Sequence, residues 1–146
     1  MSIAELALRP AGETDFDFIW ELRCLTMRSM VEQAYGWEEA TQRLYARESL
    51  GGQIVSLVGR DIGVLTLADW GSELHIVWVA IHPDFAGKGY GTELLRRGQS
   101  TARAAGKPLT LQVLKNNPAF ELYIRCGFQV FDDSHPFKRR MRWMPA

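Results

Sequence analysis

Ile81-His82-Pro83-Asp84-Phe85-Ala86-Gly87-Lys88-Gly89-Tyr90-Gly91-Thr92 joins an apolar run to a helical pattern through three alternate glycines. Glycine accepts φ > 0 and lets a ligand approach the main chain closely. A helix that starts here presents free N–H groups and the positive end of its dipole. The segment therefore reads as a backbone cradle for a phosphorylated ligand. Spacing excludes two other phosphate loops. A Walker A loop needs a glycine five residues before the Gly-Lys pair and a Ser or Thr after it, where this chain has His82 and Gly89. A dinucleotide fingerprint counted from Gly87 ends on Thr92 instead of glycine. The plain alternative is a turn that only links strand to helix.

Around this segment lie 146 residues, 47% hydrophobic, enough for a single domain over residues 1–146 with its own core. Seventeen basic and seventeen acidic residues cancel, so net charge favours neither a nucleic-acid nor an anionic-membrane partner. Met1-Ser2-Ile3-Ala4-Glu5 lacks the pattern of a signal peptide, and no run approaches the ~18 apolar residues of a bilayer span. A cytoplasmic location is expected. Cys24 and Cys126 lack metal-ligand spacing and read as free thiols, so no metal is expected.

Patterning predicts a strand over Ile3–Leu8, then a helix in which Thr14 and Asp17 resemble a capping pair and Phe18, Ile19, Leu22, Leu25 and Met30 share a face. A second helix spans Trp37–Glu48, with Ala40, Leu44 and Arg47 on one side and Gly51-Gly52 as terminator. Three strands follow, Gln53–Val58, Ile62–Ala68 and Glu73–Ile81, broken at Gly59-Arg60-Asp61 and Asp69-Trp70-Gly71-Ser72 as in a hairpin meander. A helix over Thr92–Ala105 stops at Gly106, and Leu109–Leu114 is a buried strand. Pro118 opens a helix that closes at Gly127, before strands Phe128–Phe131 and Phe137–Trp143. The order is that of a mixed α/β layer architecture.

A second block gives the glycine segment its meaning: Leu111-Gln112-Val113-Leu114-Lys115-Asn116-Asn117-Pro118-Ala119-Phe120-Glu121-Leu122-Tyr123-Ile124-Arg125-Cys126-Gly127-Phe128. Together the two blocks resemble the GNAT superfamily, the GCN5-related N-acetyltransferases. Gly89 and Gly91 match the glycines of that family's Gln/Arg-x-x-Gly-x-Gly/Ala pyrophosphate motif, and Asn116, Ala119, Tyr123, Gly127 and Phe128 match its Asn-x-x-Ala-x-x-x-Tyr-x-x-x-Gly-Phe signature. One departure is Ala86, which stands where the family has Gln or Arg. The resemblance implies the GNAT fold, an α/β (α+β) arrangement. Its sheet is mixed, mostly antiparallel and seven-stranded, with four helices packed on its faces and a splay between the fourth and fifth strands.

It also implies an acetyl-CoA-dependent acyltransferase acting on a primary amine of a small molecule or peptide by direct attack. The alternative is an acyl-CoA-binding sensor or interaction module with little activity. By resemblance, the cofactor-binding residues are Val79, Ala80 and Ile81, then Ala86, Gly87, Lys88, Gly89, Tyr90, Gly91 and Thr92, with Asn116 and Tyr123. Strand N–H groups would stabilise the thioester oxyanion. Tyr123 holds the family's general-acid position. For the base that frees the amine lone pair, Glu73 and His75 are the ionisable candidates, on one strand face by alternation; each can equally be a solvated strand-edge residue. Asn116 suits either a cofactor amide or the cap of the helix after Pro118. Met27, Met30, Glu32, Tyr35, Trp37, Glu38 and Glu39 lie on the helices expected to line the acceptor end. Carboxylates beside aromatics suit a cationic amine there, but core packing for Met30 and Trp37 and a solvated face for the glutamates is the favoured account. A homodimer is left open.

Overall fold

The computed structural model describes residues 5–146. Its elements run β1 (Ala7–Pro10), α1 (Phe16–Ala34), α2 (Glu39–Arg47), β2 (Gln53–Leu57), β3 (Arg60–Asp69), β4 (Leu74–Ile81), α3 (Tyr90–Ala105), β5 (Leu109–Leu114), α4 (Ala119–Arg125), β6 (Gln129–Asp132) and β7 (Lys138–Trp143). The strands form one seven-stranded sheet in the order β1-β2-β3-β4-β5-β7-β6. Pairs β1–β2, β2–β3, β5–β7 and β6–β7 are antiparallel, whereas β4–β5 is parallel. That parallel ladder is short: Leu74↔Leu109, His75↔Thr110 and Ile76↔Leu111. Both strands continue past its last pair. Of the expected opening strand, Ile3 and Ala4 lie outside the described residues, and β1 itself starts at Ala7.

By main-chain proximity the chain divides into two compact units, Met1–Thr66 with Trp78–Gly91, and Leu67–Val77 with Thr92–Ala146. In the first, Ile19 and Leu22 of α1 and Ala46 of α2 bury against Ile54, Val64 and Trp78. The helical spacing of apolar residues points to the wrong neighbours here. Leu25, expected on one face with Ile19 and Leu22, is 51% exposed, and Leu44, expected on one side with Ala40 and Arg47, is 67% exposed. In their place Arg23 and Gln42 are buried, with the guanidinium Nε and Nη2 both donating to Gln42 Oε1 at 3.0 and 2.8 Å. A polar pair that satisfies itself can occupy an inner face, which a count of apolar residues misses. The expected Thr14–Asp17 cap is likewise replaced. Asp15 Oδ2 accepts from the main-chain N–H of Gly12 at 2.8 Å, and the Arg9 guanidinium holds the carboxylate bidentately, keeping its pKa below the ordinary value.

The β2–β3 hairpin turns at Val58-Gly59, one residue earlier than the sequence suggests, with φ of 50° and 78° and Leu57 opposite Arg60. Two consecutive positive φ values mark the turn that matches strand twist, but a β-branched residue is strained there. Val58 is also 93% exposed. Val58→Asn is therefore expected to raise unfolding stability by about 1 kcal/mol, read as a higher denaturation midpoint.

In the second unit Leu94, Leu95 and Ala102 of α3, Leu109, Leu111 and Val113 of β5, Phe128 and Met141 are buried. α3 packs closely on β5, since a Cβ at Gly98 would stand 3.4 Å from Leu109 Cδ2. α4 closes on Gly127 (φ 93°) through Phe128 N–H to Tyr123 O at 3.1 Å and Gly127 N–H to Ile124 O at 3.0 Å. Only glycine adopts that φ without cost, and the paired bonds satisfy carbonyls the helix leaves open. The closure sets Tyr123 on the last turn of α4.

Candidate active site

β4 ends at Ile81, and a short 3-10 turn over Pro83–Phe85 follows, capped by His82 Nδ1, which accepts from Asp84 N–H at 3.1 Å. The chain then passes through Gly87 (φ 75°) and Gly89 (φ 87°) into α3 at Tyr90. Gly91 already belongs to the helix. A Cβ at Gly87 would meet no atom within 4 Å. Glycine stands there for its backbone conformation, and the space beside it is open to a ligand. Residues 86–89 are exposed, while Tyr90, 8% exposed, anchors the first turn of α3. The first N–H groups of a 16-residue helix lack an acceptor within it. Ala86 adds no polar group, and the Lys88 ammonium lies 5.8 Å from the Phe85 ring centroid. What the loop presents to an anion is main chain plus one lysine. Gly89→Ala is expected to cost about 1–3 kcal/mol of local strain and to weaken coenzyme A binding more than it lowers the melting temperature, as calorimetric titration of the variant would show.

The two base candidates converge on a third residue. Glu73 lies just before β4 instead of in it, and His75 is the second residue of that strand. The parallel register puts His75 opposite Thr110 of β5. Thr110 Oγ1 donates to Glu73 Oε2 in a short hydrogen bond and lies 2.8 Å from His75 Nδ1. A threonine hydroxyl has one proton to give. With that proton on the carboxylate bond, Nδ1–H of the imidazole is the donor, and Nε2 keeps its lone pair. Trp70 stacks on the imidazole, with centroids 3.8 Å apart and planes 12° apart. Among the described residues Nε2 has no hydrogen-bond partner, yet it is not one of the fully buried orphaned nitrogens, which are Nε1 of Trp37 and Trp78. The lone pair thus reaches solvent. Burial, aided by Arg140, lowers the imidazole pKa below its ordinary value against the opposing pull of Glu73. A neutral imidazole with an open lone pair can take a proton at neutral pH.

Tyr123 is 8% exposed, with its ring edge-on to Phe128 at 6.1 Å. Burial pushes its phenol up to about 12. The hydroxyl has no partner among the described residues and is not a fully buried orphan, so it too reaches the surface. No hydrogen bond or ring contact joins it to Glu73 or His75. Val79, Ala80, Ile81 and Thr92 are half-buried, and Asn116 is exposed. Just ahead of α4, Asn117 Oδ1 accepts from Ala119 N–H at 2.9 Å. On the helices expected to line the acceptor end, Glu32 pairs with Arg28 at 2.7 Å, and the ring of Trp37 lies 5.9 Å from that of Trp20.

Sequence reading singled out neither Thr110 nor Trp70. The signal for Thr110 was a lone hydroxyl within Leu109–Leu114. Only a parallel register places it beside His75.

The sheet is mixed, with β4 parallel to β5, and β4 runs through a glycine turn into α3. The chain belongs to the GNAT acetyltransferase family: the model of the Acetyltransferase (GNAT) domain matches residues 40–130, more than half of its length. It is an acetyl-CoA-dependent acyltransferase. Solved structures share the fold. The PaiA N-acetyltransferase of Thermoplasma acidophilum, in complex with coenzyme A, has a TM-score of 0.76 at 16% identity, covering 96% of this chain and 99% of that one. The ribosomal-protein-S18-alanine N-acetyltransferase of Escherichia coli has a TM-score of 0.72 at 19% identity, covering 95% and 93%. The N-acetylglutamate synthase of Neisseria gonorrhoeae, complexed with coenzyme A and N-acetyl-glutamate, has a TM-score of 0.69 at 20% identity, covering 97% of this chain and 35% of that one. Comparison with curated protein sequences finds no significant match. Among the described residues no cluster of three or more His, Cys, Asp or Glu could hold a metal ion, and no helix is long and apolar enough to cross a membrane.

Proposed function

We propose that the protein transfers the acetyl group of acetyl-CoA to a primary amine of a small molecule or peptide, by direct attack and in the cytoplasm. The observation that supports this most is the turn through Gly87 and Gly89 into α3, with open space where a Cβ would stand at Gly87. It suits a pyrophosphate held by main-chain N–H groups of residues 86–92. Val79, Ala80 and Ile81 supply main-chain groups for the pantetheine arm and the thioester oxygen, and Asn116 a side-chain amide. His75 Nε2 takes the proton of the attacking ammonium, and Tyr123 Oη returns one to the departing thiolate. Glu73, half-buried and bonded to Thr110, acts behind His75 rather than as the base itself.

Binding is testable before any acceptor is known. A ligand at 100 times its Kd stabilises the folded state by about 2.7 kcal/mol. Coenzyme A at saturation is expected to raise the melting temperature of the wild type, and free pantetheine, which lacks the pyrophosphate, to raise it less. Equal shifts would remove the pyrophosphate role of the loop. A shift without turnover on any amine would favour an acyl-CoA-binding sensor.

A further inference from the structure

Glu73, Thr110, His75 and Trp70 form a cluster more specific than a lone base requires. The imidazole is stacked on Trp70, held at Nδ1 by Thr110, and open at Nε2. Thr110 has a second acceptor in reach, Leu74 O, but at 3.4 Å that contact is much weaker than the short bond to Glu73. The charged groups acting on the ring are Glu73 and Arg140. Glu73 is half-buried, and its Oε2 accepts from Thr110 Oγ1.

We propose that Thr110 is a positioning residue that fixes the Nδ1–H tautomer of His75 and links it to Glu73 as a proton outlet. The proposal rests on the reading of His75 as the base. When Nε2 takes a proton from the acceptor ammonium, the ring becomes an imidazolium with protons on both nitrogens. The Nδ1 proton passes to Thr110 Oγ1 as the hydroxyl proton of Thr110 passes to Glu73 Oε2. The Glu73 carboxylic acid then releases that proton to water. Thr110 Oγ1 and Glu73 Oε2 each gain one proton and lose one, while the ring is left with its proton on Nε2. The Nδ1–H form returns when Nε2 gives that proton to water and one comes back from water through Glu73 and Thr110 to Nδ1. One proton thus leaves per turnover, and no redox partner is needed. Trp70 restrains ring rotation about the stacked geometry, and a correct tautomer at the reacting nitrogen is what such an outer partner supplies.

The test pairs spectroscopy with kinetics on full-length protein. Nitrogen chemical shifts of the His75 imidazole, from long-range proton–nitrogen correlation at pH 7.5 or so, report the tautomer without any acceptor. The wild type and Thr110→Ser are expected to show Nδ1–H, whereas Thr110→Val, nearly isosteric but without the hydroxyl, shifts towards Nε2–H. Thiol release from acetyl-CoA, with the fastest acceptor of a primary-amine panel, is expected to fall about 10–100-fold in kcat/KM for Thr110→Val. Thr110→Ser recovers most of that loss, and Glu73→Gln, which removes the charge that raises the imidazole pKa, moves the acid limb to lower pH. An Nε2–H tautomer in the wild type, or full activity in Thr110→Val, overturns the proposal. Full activity in His75→Gln sinks the base reading instead, and with it the outlet, while the tautomer still reports whether Thr110 orients the ring.

Discussion

Replacing Tyr123 by Phe is expected to lower kcat about 100-fold or more, the size of a lost general acid, with coenzyme A affinity changed only a few-fold. The substitution removes a single oxygen from a ring that is 8% exposed and packed edge-on against Phe128, so the fold has little reason to change. The oxygen it removes makes no hydrogen bond to the described protein. A structural role would therefore leave activity and stability nearly untouched. Burial holds the phenol protonated, with its pKa pushed up to about 12. The same apolar surroundings raise the basicity of a thiolate departing beside it, which keeps proton transfer feasible. Because the folded-state value is raised, the contribution of this group to stability is complete below the ordinary value of about 10 and is lost as pH rises from there towards 12. Single-turnover kinetics separate the two roles: an unchanged chemical step in Tyr123→Phe would take the tyrosine out of the mechanism.

His75→Gln carries the second large effect, a fall in kcat/KM of about 100-fold or more at neutral pH. Its pH signature follows from burial. With the imidazole pKa lowered, the wild-type acid limb lies below the ordinary histidine value of about 6.5. The variant loses that limb, and its rate follows free amine alone. The sign for stability agrees: a histidine with a depressed folded-state pKa contributes fully above about 6.5, and that contribution is lost as pH falls. An acid limb that persists unchanged in His75→Gln would assign the titration to another group.

Much of the fold was legible because the chain punctuates itself. Gly106 and Gly127 end helices where sequence reading placed the breaks, and the boundaries of β5 agree to the residue. Where reading failed, a polar residue did what the pattern reserves for apolar ones. Arg23 and Gln42 bury as a bonded pair while Leu25 and Leu44 face solvent. Turn chemistry misled in another way. Gly59 was legible as a break, but its partner in the turn is Val58, a residue that rarely adopts φ of 50°. The loop from Ala86 to Gly91 was legible as a cradle from its glycines. Glu73 and His75 were legible as alternatives, whereas the hydroxyl between them depends on strand register, which links residues 35 positions apart. A single sequence carries no local trace of such a link.

Thiol release from acetyl-CoA across a panel of primary amines, with mass spectrometry of the products, tests the central claim most directly. The account predicts amine-dependent release with one acetyl group added to the acceptor nitrogen, and loss of that release in Tyr123→Phe and His75→Gln. Coenzyme A-dependent stabilisation without release on any amine, or release equally fast in both variants, would contradict it.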